Sequence, residues 1–364
     1  MGKKNIRKQG IEIMKDTMLE KPLYILVTGG AGFIGSNFIP YFLEKSPHYH
    51  IINLDKLTYA ANLNNLTEVA ANPRYQLVKG DICNRGLVEY LFTQYDIQGV
   101  IHFAAESHVD NSITGPDVFI KTNVEGTFTV LDVARNHWME APGKYRPGYE
   151  NSRFHHISTD EVYGSLGETG LFTETTAYAP NSPYSASKAS ADMIVRSYYE
   201  TYAMNTVITN CSNNYGPKQY NEKLIPTVIR KALTLDNIPI YGDGKNIRDW
   251  LYVLDHCKGI DLVYHKGKNG ESYNIGGKNE RENIHIAKVI CEILDNLAHA
   301  KKEAAGLYSY KQLISFVPDR PGHDRRYAID ASKIKIELGW QAEEDFESGI
   351  KKTVEWYVNK DKYL

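Results

Sequence analysis

The sequence is poor in the features that would assign it to several common classes of protein. The 42 lysines and arginines nearly balance the 44 acidic residues, so the formal net charge of -2 gives no general attraction for a polyanion. No apolar run reaches the roughly 18 residues of a membrane-spanning helix, and the amino terminus lacks an apolar signal core. The four cysteines form no CxxC pair and no zinc-ligand spacing: Cys83, Cys211, Cys257 and Cys291. We therefore expect a cytoplasmic protein with reduced thiols, no metal site, and neither a nucleic-acid nor a membrane partner.

The length and the apolar content predict a large core that is divided between two lobes. The chain has 364 residues, of which 42% are hydrophobic. Short β-branched runs alternate with amphipathic stretches, as in a doubly wound parallel sheet: 23–28, 50–55, 75–79, 99–103, 154–158 and 206–210. Beyond Pro217, turn-rich segments separate the helical ones. We predict an α/β fold with a tail at 1–20, a parallel-sheet domain at 21–217 and a smaller α/β lobe at 218–364, from which some segments return to the first domain.

A glycine-rich turn follows the first predicted strand directly. Gly30, Gly32 and Gly35 satisfy the GxGxxG spacing at a helix start, where free amides and the helix dipole stabilise a pyrophosphate. Asp55 ends the second strand, where a carboxylate accepts ribose hydroxyls and repels a 2'-phosphate, although the adjacent Lys56 weakens that discrimination. The alternative is a turn that only packs a strand on a helix. Strand, spacing and Asp55 together predict an NAD-binding Rossmann domain, with NAD favoured over NADP.

A second motif lies at the start of a helix predicted over 183–203. Ser182 can cap this helix and Pro183 suits its first position, which leaves Tyr184 and Lys188 on one face. We expect the ammonium and the helix dipole to lower the pKa of Tyr184 toward neutrality, so that a phenolate can deprotonate a sugar hydroxyl. Isolated YxxxK pairs are common on surfaces. After a dinucleotide-binding turn, the pair predicts hydride-transfer chemistry.

Two adjacent carboxylates follow the strand predicted over 154–158. Thr159, Asp160 and Glu161 stand at its end, and the two acids can supply the separate acid and base that elimination of water requires. Side chains alternate along a strand, so we expect the strand to end by Thr159 and a turn to bring both carboxylates to the substrate. A solvated turn is the alternative. Together with Tyr184 and Lys188, the triplet predicts a sugar-nucleotide dehydratase.

These residues resemble the extended short-chain dehydrogenase/reductase superfamily and, within it, the dTDP-glucose 4,6-dehydratase family, over nearly all of residues 21–358. The segments that carry the resemblance are AAESHVD at 104–110, STDEVYG at 158–164, CSNNYGP at 211–217, EKLIP at 222–226, RDW at 248–250 and DRPGHDRRYA at 319–328. Related epimerases usually have a serine-rich segment in place of Thr159, Asp160 and Glu161. The resemblance implies a lyase that uses NAD to convert dTDP-glucose to dTDP-4-keto-6-deoxyglucose and water, in deoxysugar biosynthesis of the rhamnose type.

The resemblance also implies roles for individual residues. The catalytic residues would be Thr159, Asp160, Glu161, Tyr184 and Lys188. NAD would be bound by Gly29, Gly32, Phe33, Ile34, Gly35, Asp55, Lys56, Leu57, Thr58, Asp81, Ile82, Phe103, Ala104, Ala105, Ser107, Thr122, Tyr184, Lys188 and Asn214. The nucleotide sugar would be bound by Ser107, Thr159, Asn213, Lys223, Leu224, Pro239, Tyr241, Arg248, Asn283, Asp319 and His323. Several of the cofactor residues end predicted strands, where a doubly wound sheet binds ligands.

In the implied reaction, Tyr184 takes the proton of the glucose 4-hydroxyl while hydride leaves C4. Glu161 then removes the C5 proton that the new ketone acidifies, and a protonated Asp160 delivers a proton to the departing 6-hydroxyl. Hydride returns to C6, which leaves the cofactor unchanged. The alternatives are a C4 epimerase, a 4,6-dehydratase for another nucleotide sugar such as UDP- or CDP-glucose, and a non-catalytic protein that senses NAD.

Three further features carry expectations about the surface and the assembly. The helices predicted at 117–135 and 183–203 would pair with their copies in a four-helix bundle, which makes a homodimer in the superfamily. The loop 138–153, rich in glycine and proline, is expected on the surface, where it would cover part of the site. Asn111 and Asn210 stand where many members of the family have arginine. That exchange would alter substrate binding if either position touches phosphate.

Overall fold

The computed structural model describes residues 22–361, so the predicted tail at 1–20 lies outside the described residues. The strands in chain order are β1 (Leu23–Thr28), β2 (Tyr49–Asp55), β3 (Tyr75–Lys79), β4 (Ile97–His102), β5 (Met139–Ala141), β6 (Lys144–Tyr145), β7 (Arg153–Thr159), β8 (Thr206–Cys211), β9 (Asn213–Tyr215), β10 (Ile238–Tyr241), β11 (Ile247–Tyr252), β12 (Ser272–Ile275), β13 (Glu280–Glu282) and β14 (Ile314–Val317).

The α-helices are α1 (Phe33–Lys45), α2 (Arg85–Tyr95), α3 (Val109–Thr114), α4 (Pro116–Phe119), α5 (Thr127–Trp138), α6 (Pro183–Tyr202), α7 (Leu224–Leu233), α8 (Val253–Lys266), α9 (Asn283–Leu297), α10 (His299–Ala304), α11 (Ser332–Leu338) and α12 (Phe346–Asp361). Short 3₁₀ turns occupy Leu63–Leu66, Asp160–Tyr163 and Tyr310–Leu313, and Ile120–Gly126 is π-helical. The helix predicted over 117–135 therefore spans α4, the π-helical stretch and α5.

A parallel sheet forms the centre of the molecule. Within residues 22–361, its strands run in the order β12-β8-β7-β4-β1-β2-β3. The six predicted strands all belong to it, and the predicted doubly wound α/β fold is confirmed. The seventh strand, β12, comes from beyond residue 218 and pairs with β8. The predicted domain boundary near residue 218 stays a prediction.

Helices cover both faces of this sheet, which explains why its strands are apolar in nearly every position. Alternate residues of a strand point to opposite faces. Leu26 packs in the core that α2, α5 and α6 close, whereas Ile25 packs with α1 and α8 on the other face. Both side chains are completely buried. The two cores hold the strands in a register that aligns their carboxyl ends.

The aligned carboxyl ends create the edge at which polar residues collect. Thr28, the last residue of β1, lies opposite Leu54 of β2 and His102 of β4. Thr159 at the end of β7 lies opposite Cys211 at the end of β8. The chain order reverses around β1 and β4, and ligands of open α/β sheets bind at such a switch point.

The smaller lobe packs its own core beside this edge. β11 joins β9 in parallel and β13 antiparallel, and β10 pairs with β14. Helices α7, α9 and α12 supply most of the apolar side chains that enclose Tyr215 and Trp250. Because β9 follows β8 after one residue, the lobe begins at the carboxyl edge of the sheet. This connection places the lobe over one side of the site.

The segment 138–153 lies far from the site, and the expectation that it would cover part of it is wrong. It contains the β5–β6 hairpin. The amide of Gly143 donates to the Tyr202 carbonyl at 2.8 Å, and the amide of Asn205 donates to the Tyr145 hydroxyl at 2.6 Å. These contacts lie where β7 and β8 begin. The hairpin therefore closes the amino edge of the sheet, opposite the carboxyl ends.

Candidate active site

A cavity of about 300 Å³ opens at the carboxyl edge of the sheet. It is lined by 23 of the residues that the sequence analysis proposed for cofactor, catalysis or substrate: Gly29, Gly32, Phe33, Ile34, Gly35, Asp55, Lys56, Thr58, Asp81, Ile82, Phe103, Ala104, Ala105, Ser107, Thr122, Thr159, Asp160, Glu161, Tyr184, Lys188, Asn213, Asn214 and Lys223. One elongated space thus joins the glycine turn to the paired carboxylates.

The glycine turn connects β1 to α1 with little room for side chains. Gly29 has a φ of +70°, and a Cβ there would lie 2.7 Å from the backbone nitrogen of Ala104. A Cβ on Gly35 would lie 2.6 Å from the Cα of Gly30, which lets α1 begin directly against the turn. Gly32 caps α1, and none of the described side chains caps this helix end. The first amides of α1 are therefore available to an anion.

Asp55 lies at the end of β2, beside the turn, and is almost fully buried. Its carboxylate accepts the amides of Ala31 and Leu57, each at 2.8 Å. Burial raises the pKa of Asp55, and the two amides act in the opposite direction. Each carboxylate oxygen keeps acceptor capacity for a hydroxyl. Lys56 pairs with Asp81 at 2.8 Å, which places its ammonium at the rim of the cavity.

The ends of β3 and β4 form the adjoining wall. Ile82 and Phe103 supply apolar surface, and the small Ala104 leaves the cavity open in front of the turn. Thr122 projects from the π-helical stretch, and the neighbouring Asn123 bonds the amide and the carbonyl of Glu106 at 2.8 and 3.0 Å. These contacts hold the segment after β4 against the helices. Of the proposed cofactor residues, Leu57 is the one that lies outside the cavity lining.

The triplet Thr159, Asp160 and Glu161, predicted to be catalytic, has the local structure that the sequence analysis inferred. β7 ends at Thr159, and a 3₁₀ turn begins at Asp160. The Thr159 hydroxyl accepts the amide of Glu161 at 3.3 Å and starts this turn. Because the turn interrupts strand alternation, Asp160 and Glu161 both line the cavity.

The two carboxyl groups differ in their surroundings. Burial, Glu161 and Asp249 raise the pKa of Asp160 well above its ordinary value. Burial also raises the pKa of Glu161, but Lys223, Arg320 and Arg248 act in the opposite direction. The Oδ2 atom of Asp160 has no hydrogen-bond partner among the described residues. The surroundings therefore favour the protonated form of Asp160 more strongly than that of Glu161.

Helix α6 brings Tyr184 and Lys188 to the same end of the cavity. Ser182 and Ser185 form a capping box at its start, and Pro183 occupies the first helical position. Tyr184 and Lys188 are 8% and 4% exposed. The Lys188 ammonium donates to the Ile157 carbonyl at 2.7 Å, which ties the helix to β7.

The predicted direction of the Tyr184 pKa is wrong for this structure. Burial and the Glu161 carboxylate raise the pKa of Tyr184 well above 10.0, and the Thr159 side chain only partly opposes them. Burial likewise lowers the pKa of Lys188. Spacing along the helix indicated the pair correctly as neighbours. It could not show how strongly the closed site penalises a phenolate.

Residues proposed for the nucleotide sugar fall into two groups. Asn213 and Lys223 line the cavity, and the Lys223 ammonium donates to the Ser107 carbonyl at 2.8 Å. Arg248 is 5% exposed, donates to the Asp324 carbonyl at 2.9 Å and stacks 4.1 Å from the Tyr327 ring centroid. Outside the cavity lining lie Leu224, Pro239, Tyr241, Arg248, Asn283, Asp319 and His323. Their roles in binding stay predictions.

The loop 319–323 nevertheless lies against the first lobe. His323 contacts Asp319 at 2.6 Å and packs edge-on to Tyr241. The Tyr241 hydroxyl donates to Asp110 at 3.2 Å, and Arg320 pairs with the same carboxylate at 3.1 Å. These contacts join the two lobes beside the cavity.

Several lining residues were missed by the sequence analysis. Glu106, Ser212, Tyr220 and Glu222 face the cavity. Glu106 lies between two proposed residues at the end of β4, and Glu222 precedes Lys223, so adjacency was an available signal. Arg320 acts on Glu161 electrostatically from within the proposed loop 319–323. Among residues 22–361, no cluster of three or more His, Cys, Asp or Glu side chains could hold a metal ion.

The two asparagines that replace arginines have different surroundings. Asn111 is exposed and donates to the Tyr59 hydroxyl at 3.3 Å. Asn210 is completely buried, and its amide donates to the Thr159 carbonyl at 3.2 Å and to Asp192 at 3.3 Å. Neither residue lines the cavity. Asn210 acts beneath the site, through groups that hold the triplet.

Comparison with known proteins agrees with this geometry. A family model described as GDP-mannose 4,6 dehydratase matches residues 26–353. The dTDP-glucose 4,6-dehydratase of Neisseria gonorrhoeae is 53% identical over 336 residues, which cover 92% of this chain and 95% of that protein.

Two solved structures extend the comparison. The dTDP-glucose 4,6-dehydratase of Bacillus anthracis, in complex with NAD, has a TM-score of 0.79 and 46% identity, covering 94% of this chain and 98% of that one. The enzyme of Streptomyces venezuelae, also with NAD bound, has a TM-score of 0.82 and 42% identity over 94% and 99% of the two chains. The chain belongs to the dTDP-glucose 4,6-dehydratase family of the extended short-chain dehydrogenase/reductase superfamily.

Proposed function

We propose that this chain is an NAD-dependent dTDP-glucose 4,6-dehydratase, a hydro-lyase of deoxysugar biosynthesis. One observation carries the proposal: Asp160 and Glu161 share with Tyr184 one end of a cavity whose other end is the glycine turn. A protein that only binds NAD requires neither the carboxyl pair nor the tyrosine. A C4 epimerase would use Tyr184 but would leave both carboxyl groups without a task.

The residues that would hold NAD fit that cofactor. Gly32 leaves the amides of α1 open for a pyrophosphate, and Asp55 offers its remaining acceptor capacity to ribose hydroxyls. The buried carboxylate disfavours a 2'-phosphate, and Lys56 is already paired with Asp81. When bound, NAD would supply an acceptor for the hydride of C4 and a donor for its return to C6.

Tyr184 is the base for the sugar 4-hydroxyl, and Thr159 orients that oxygen. The raised pKa of Tyr184 means that its phenolate is a strong base once formed, and that positive charge near its oxygen favours its formation. Lys188 supplies one such charge from below. Its ammonium is held by the Ile157 carbonyl and so cannot turn away from the helix face.

Glu161 and Asp160 perform the elimination. The 4-keto group acidifies the C5 hydrogen, and Glu161 takes this proton because nearby cations favour its carboxylate. Asp160 gives its proton to the 6-hydroxyl, which leaves as water; the raised pKa of Asp160 favours the protonated form that this step requires. Glu161 then returns its proton to C5. The proton that Tyr184 removed from O4 balances the one that Asp160 lost.

The nucleotide part of the substrate would lie toward the smaller lobe. Lys223, Arg248 and Arg320 all act electrostatically on Glu161, so three cations surround the sugar end of the cavity. They suit a diphosphate, whose charge they would offset while it shields them from Glu161. Tyr241 and His323 present ring faces and donors beyond them.

The decisive experiment is to incubate the purified protein with dTDP-glucose without added NAD and follow the nucleotide sugar by mass spectrometry. Loss of one water is the expected result, with a cofactor that the protein retained during purification. UDP-glucose at the same concentration is the matched control that tests the preference for the nucleobase. An unchanged mass with NAD supplied would contradict dehydration, and a product with galactose stereochemistry would establish an epimerase.

We also propose that the chain forms a homodimer in the cytoplasm. Large apolar side chains are exposed on the neighbouring helices α4 to α6, among them Ile120 at 52%, Phe128 at 42% and Met193 at 58%. Tyr198, by contrast, is buried and donates to Asp132 at 3.1 Å within the chain. An exposed apolar face on two long helices suits a four-helix bundle with a second copy. The four cysteines carry free thiols, which suits a reducing compartment.

Sedimentation analysis of the wild type and of Met193→Asp tests the dimer. The wild type should sediment as a dimer and the variant as a folded monomer. Glu303→Asp, at an exposed position on α10 outside the proposed bundle, is the control and should leave the dimer intact. A monomeric wild type would contradict the proposal. Within residues 22–361, the structure has no helix that is both long and apolar enough to span a membrane.

A further inference from the structure

A buried carboxylate lies directly beneath the catalytic residues of α6. Tyr184, Lys188 and Asp192 follow one another at intervals of four residues, so they share one face of the helix. The first two reach the cavity, whereas Asp192 lies deeper and is 1% exposed. The reaction as described assigns it no role. Burying a carboxylate is costly unless it is hydrogen-bonded or paired with a charge, so the contacts of Asp192 are informative.

One oxygen of Asp192 gathers three donors from three segments. Its Oδ2 accepts the hydroxyl of Ser158 at 2.8 Å, the hydroxyl of Tyr178 at 2.9 Å and the amide of Asn210 at 3.3 Å. The same Asn210 amide donates to the Thr159 carbonyl at 3.2 Å. The carboxylate is therefore bonded to the strand that ends in the catalytic triplet.

The other oxygen faces Lys188 across a histidine ring. The Nε2 atom of His156 lies 3.2 Å from Asp192 Oδ1 and 3.4 Å from the Lys188 ammonium nitrogen. The ring nitrogen accepts a hydrogen bond from the ammonium, so it cannot also donate to the carboxylate, and Asp192 Oδ1 has no hydrogen-bond partner among the described residues. His156 thus sits between a buried positive and a buried negative group. The Nδ1 atom of the ring has no partner among the described residues.

The Asp192 carboxylate favours the charged form of Lys188. Burial lowers the pKa of Lys188, and Asp192 is the first of the groups that act against that shift. An ammonium buried without a counter-charge loses its proton. A neutral Lys188 would give Tyr184 no electrostatic support when the tyrosine takes the substrate proton.

We propose that Asp192 is a positioning residue of the reaction: its buried carboxylate keeps Lys188 charged through His156 and holds Thr159 in place through Ser158 and Asn210. The inference rests on the proposed function, since Lys188 and Thr159 act there. Asp192 itself touches neither substrate nor cofactor in this role. By keeping Lys188 positively charged, Asp192 would stabilise the Tyr184 phenolate.

The other titratable groups around the pair are neutral near pH 7. His102 stacks on His156, and burial lowers the pKa of both rings, that of His156 to about 4. Burial raises the pKa of Tyr163, Tyr178, Tyr184 and Cys211, which also face Lys188 or Asp192. A change of charge at Asp192 should therefore reach Lys188 without compensation from these neighbours.

The test compares the holoenzyme with Asp192→Asn and Tyr178→Phe over a pH series. Both variants alter the same hydrogen-bond network, Tyr178→Phe by removing a hydroxyl and Asp192→Asn by exchanging an oxygen for an amide, but only Asp192→Asn removes the charge. In Asp192→Asn, the alkaline limb of kcat should move to lower pH by about 1 unit, because Lys188 loses its proton sooner. Tyr178→Phe should keep the wild-type limb. Equal shifts in both variants, or no shift in Asp192→Asn, would overturn the proposal.

A second measurement does not depend on turnover. The Lys188 side chain can be titrated by NMR in protein that carries isotope-labelled lysine, with Lys188→Met to assign its signal. The wild-type ammonium should be protonated at neutral pH, and its pKa should fall in Asp192→Asn, or in the smaller Asp192→Ser if the first variant does not fold. A neutral Lys188 in the wild type overturns the inference by itself. Failure to dehydrate dTDP-glucose would reject the proposed function, and the titration would still decide the role of Asp192.

Discussion

The two sides of the cavity are built in opposite ways. We call the side of the glycine turn, proposed for NAD, the cofactor side, and the side of Asp160 and Glu161, proposed for the sugar, the sugar side. On the cofactor side, most contacts are made by the backbone. The turn at Gly29 packs against the backbone of Ala104, and the Asp55 carboxylate accepts hydrogen bonds from the amides of Ala31 and Leu57. On the sugar side, charged side chains dominate, and Asp160 keeps an oxygen without a partner. The first side is complete before a ligand arrives. On the second side, burial and neighbouring charges shift the pKa values of Asp160 and Tyr184 away from their ordinary values, and such shifts suit groups that transfer protons.

The difference follows from what each side must do. A dinucleotide that the protein retains through the reaction needs a rigid cradle and no reactive groups. A sugar that loses two protons and a water needs groups whose pKa values depart from normal, which only crowding and burial can produce. Substitutions on the cofactor side should therefore change stability and cofactor content, and those on the sugar side should change rate.

Glu161→Gln should have the largest effect, a loss of dehydration by about 10²–10⁴-fold, because Gln cannot take the C5 proton. The first oxidation should survive and appear as transient absorbance of reduced nicotinamide in stopped-flow traces. Glu168→Gln, an exposed change nearby, is the control and should turn over normally. Normal turnover in Glu161→Gln would instead indicate an epimerase.

Gly29→Ala should destabilise the fold by about 1–3 kcal/mol, since Ala is strained at a φ of +70° and its Cβ would collide with Ala104. Gly32→Ala is the matched variant: its Cβ would meet only the Gly29 carbonyl at 3.3 Å, so the fold should tolerate it. Thermal unfolding measures the first effect. Absorbance of the purified protein measures retained NAD, and Gly32→Ala should reduce it. Equal losses of stability in Gly29→Ala and Gly32→Ala would contradict the expected difference between the two glycines.

Arg248→Lys should raise KM for dTDP-glucose by about tenfold, because an ammonium cannot both reach the Asp324 carbonyl and stack on Tyr327. The loop that carries His323 would lose its support. Steady-state kinetics measure the change. Arg325→Lys, which alters an exposed ion pair with Asp243, is the control and should leave KM within twofold. An unchanged KM in both variants would show that Arg248 does not contribute to substrate binding.

The last effect concerns stability rather than the reaction, and it arises from histidines that are buried beneath the cavity. Burial lowers the pKa of His156 to about 4 and that of His256 to about 3, below the ordinary 6.5. Between these values, the unfolded chain binds more protons than the folded one, so stability should fall as the pH drops from 6.5 toward 4.

Denaturant unfolding at pH 7 and pH 5 measures this loss, which should be about 2 kcal/mol for each histidine. His256→Gln should make the loss smaller. The control is His299→Gln, at an exposed position, which should leave the loss unchanged. A loss that His256→Gln does not reduce would place the acid sensitivity elsewhere.

Much of the cofactor side could be predicted because its signals are local. The glycine spacing, Asp55 at a strand end and the YxxxK pair each depend on residues close in sequence, whose geometry the strand and helix impose. Even the turn at Asp160 followed from the need to bring two adjacent carboxylates to one side. The sugar side was less predictable, since Arg248 and His323 come from distant segments and lie around the cavity rather than in its lining.

The sequence by itself determined the doubly wound sheet, the dinucleotide-binding turn and the identity of the paired acids, because periodicity and spacing act within one element at a time. Only the tertiary structure decided the edge at which the β5–β6 hairpin lies, the partners of Arg248 and the raised pKa of Tyr184. These depend on burial and on charges from remote segments, which add through space rather than along the chain.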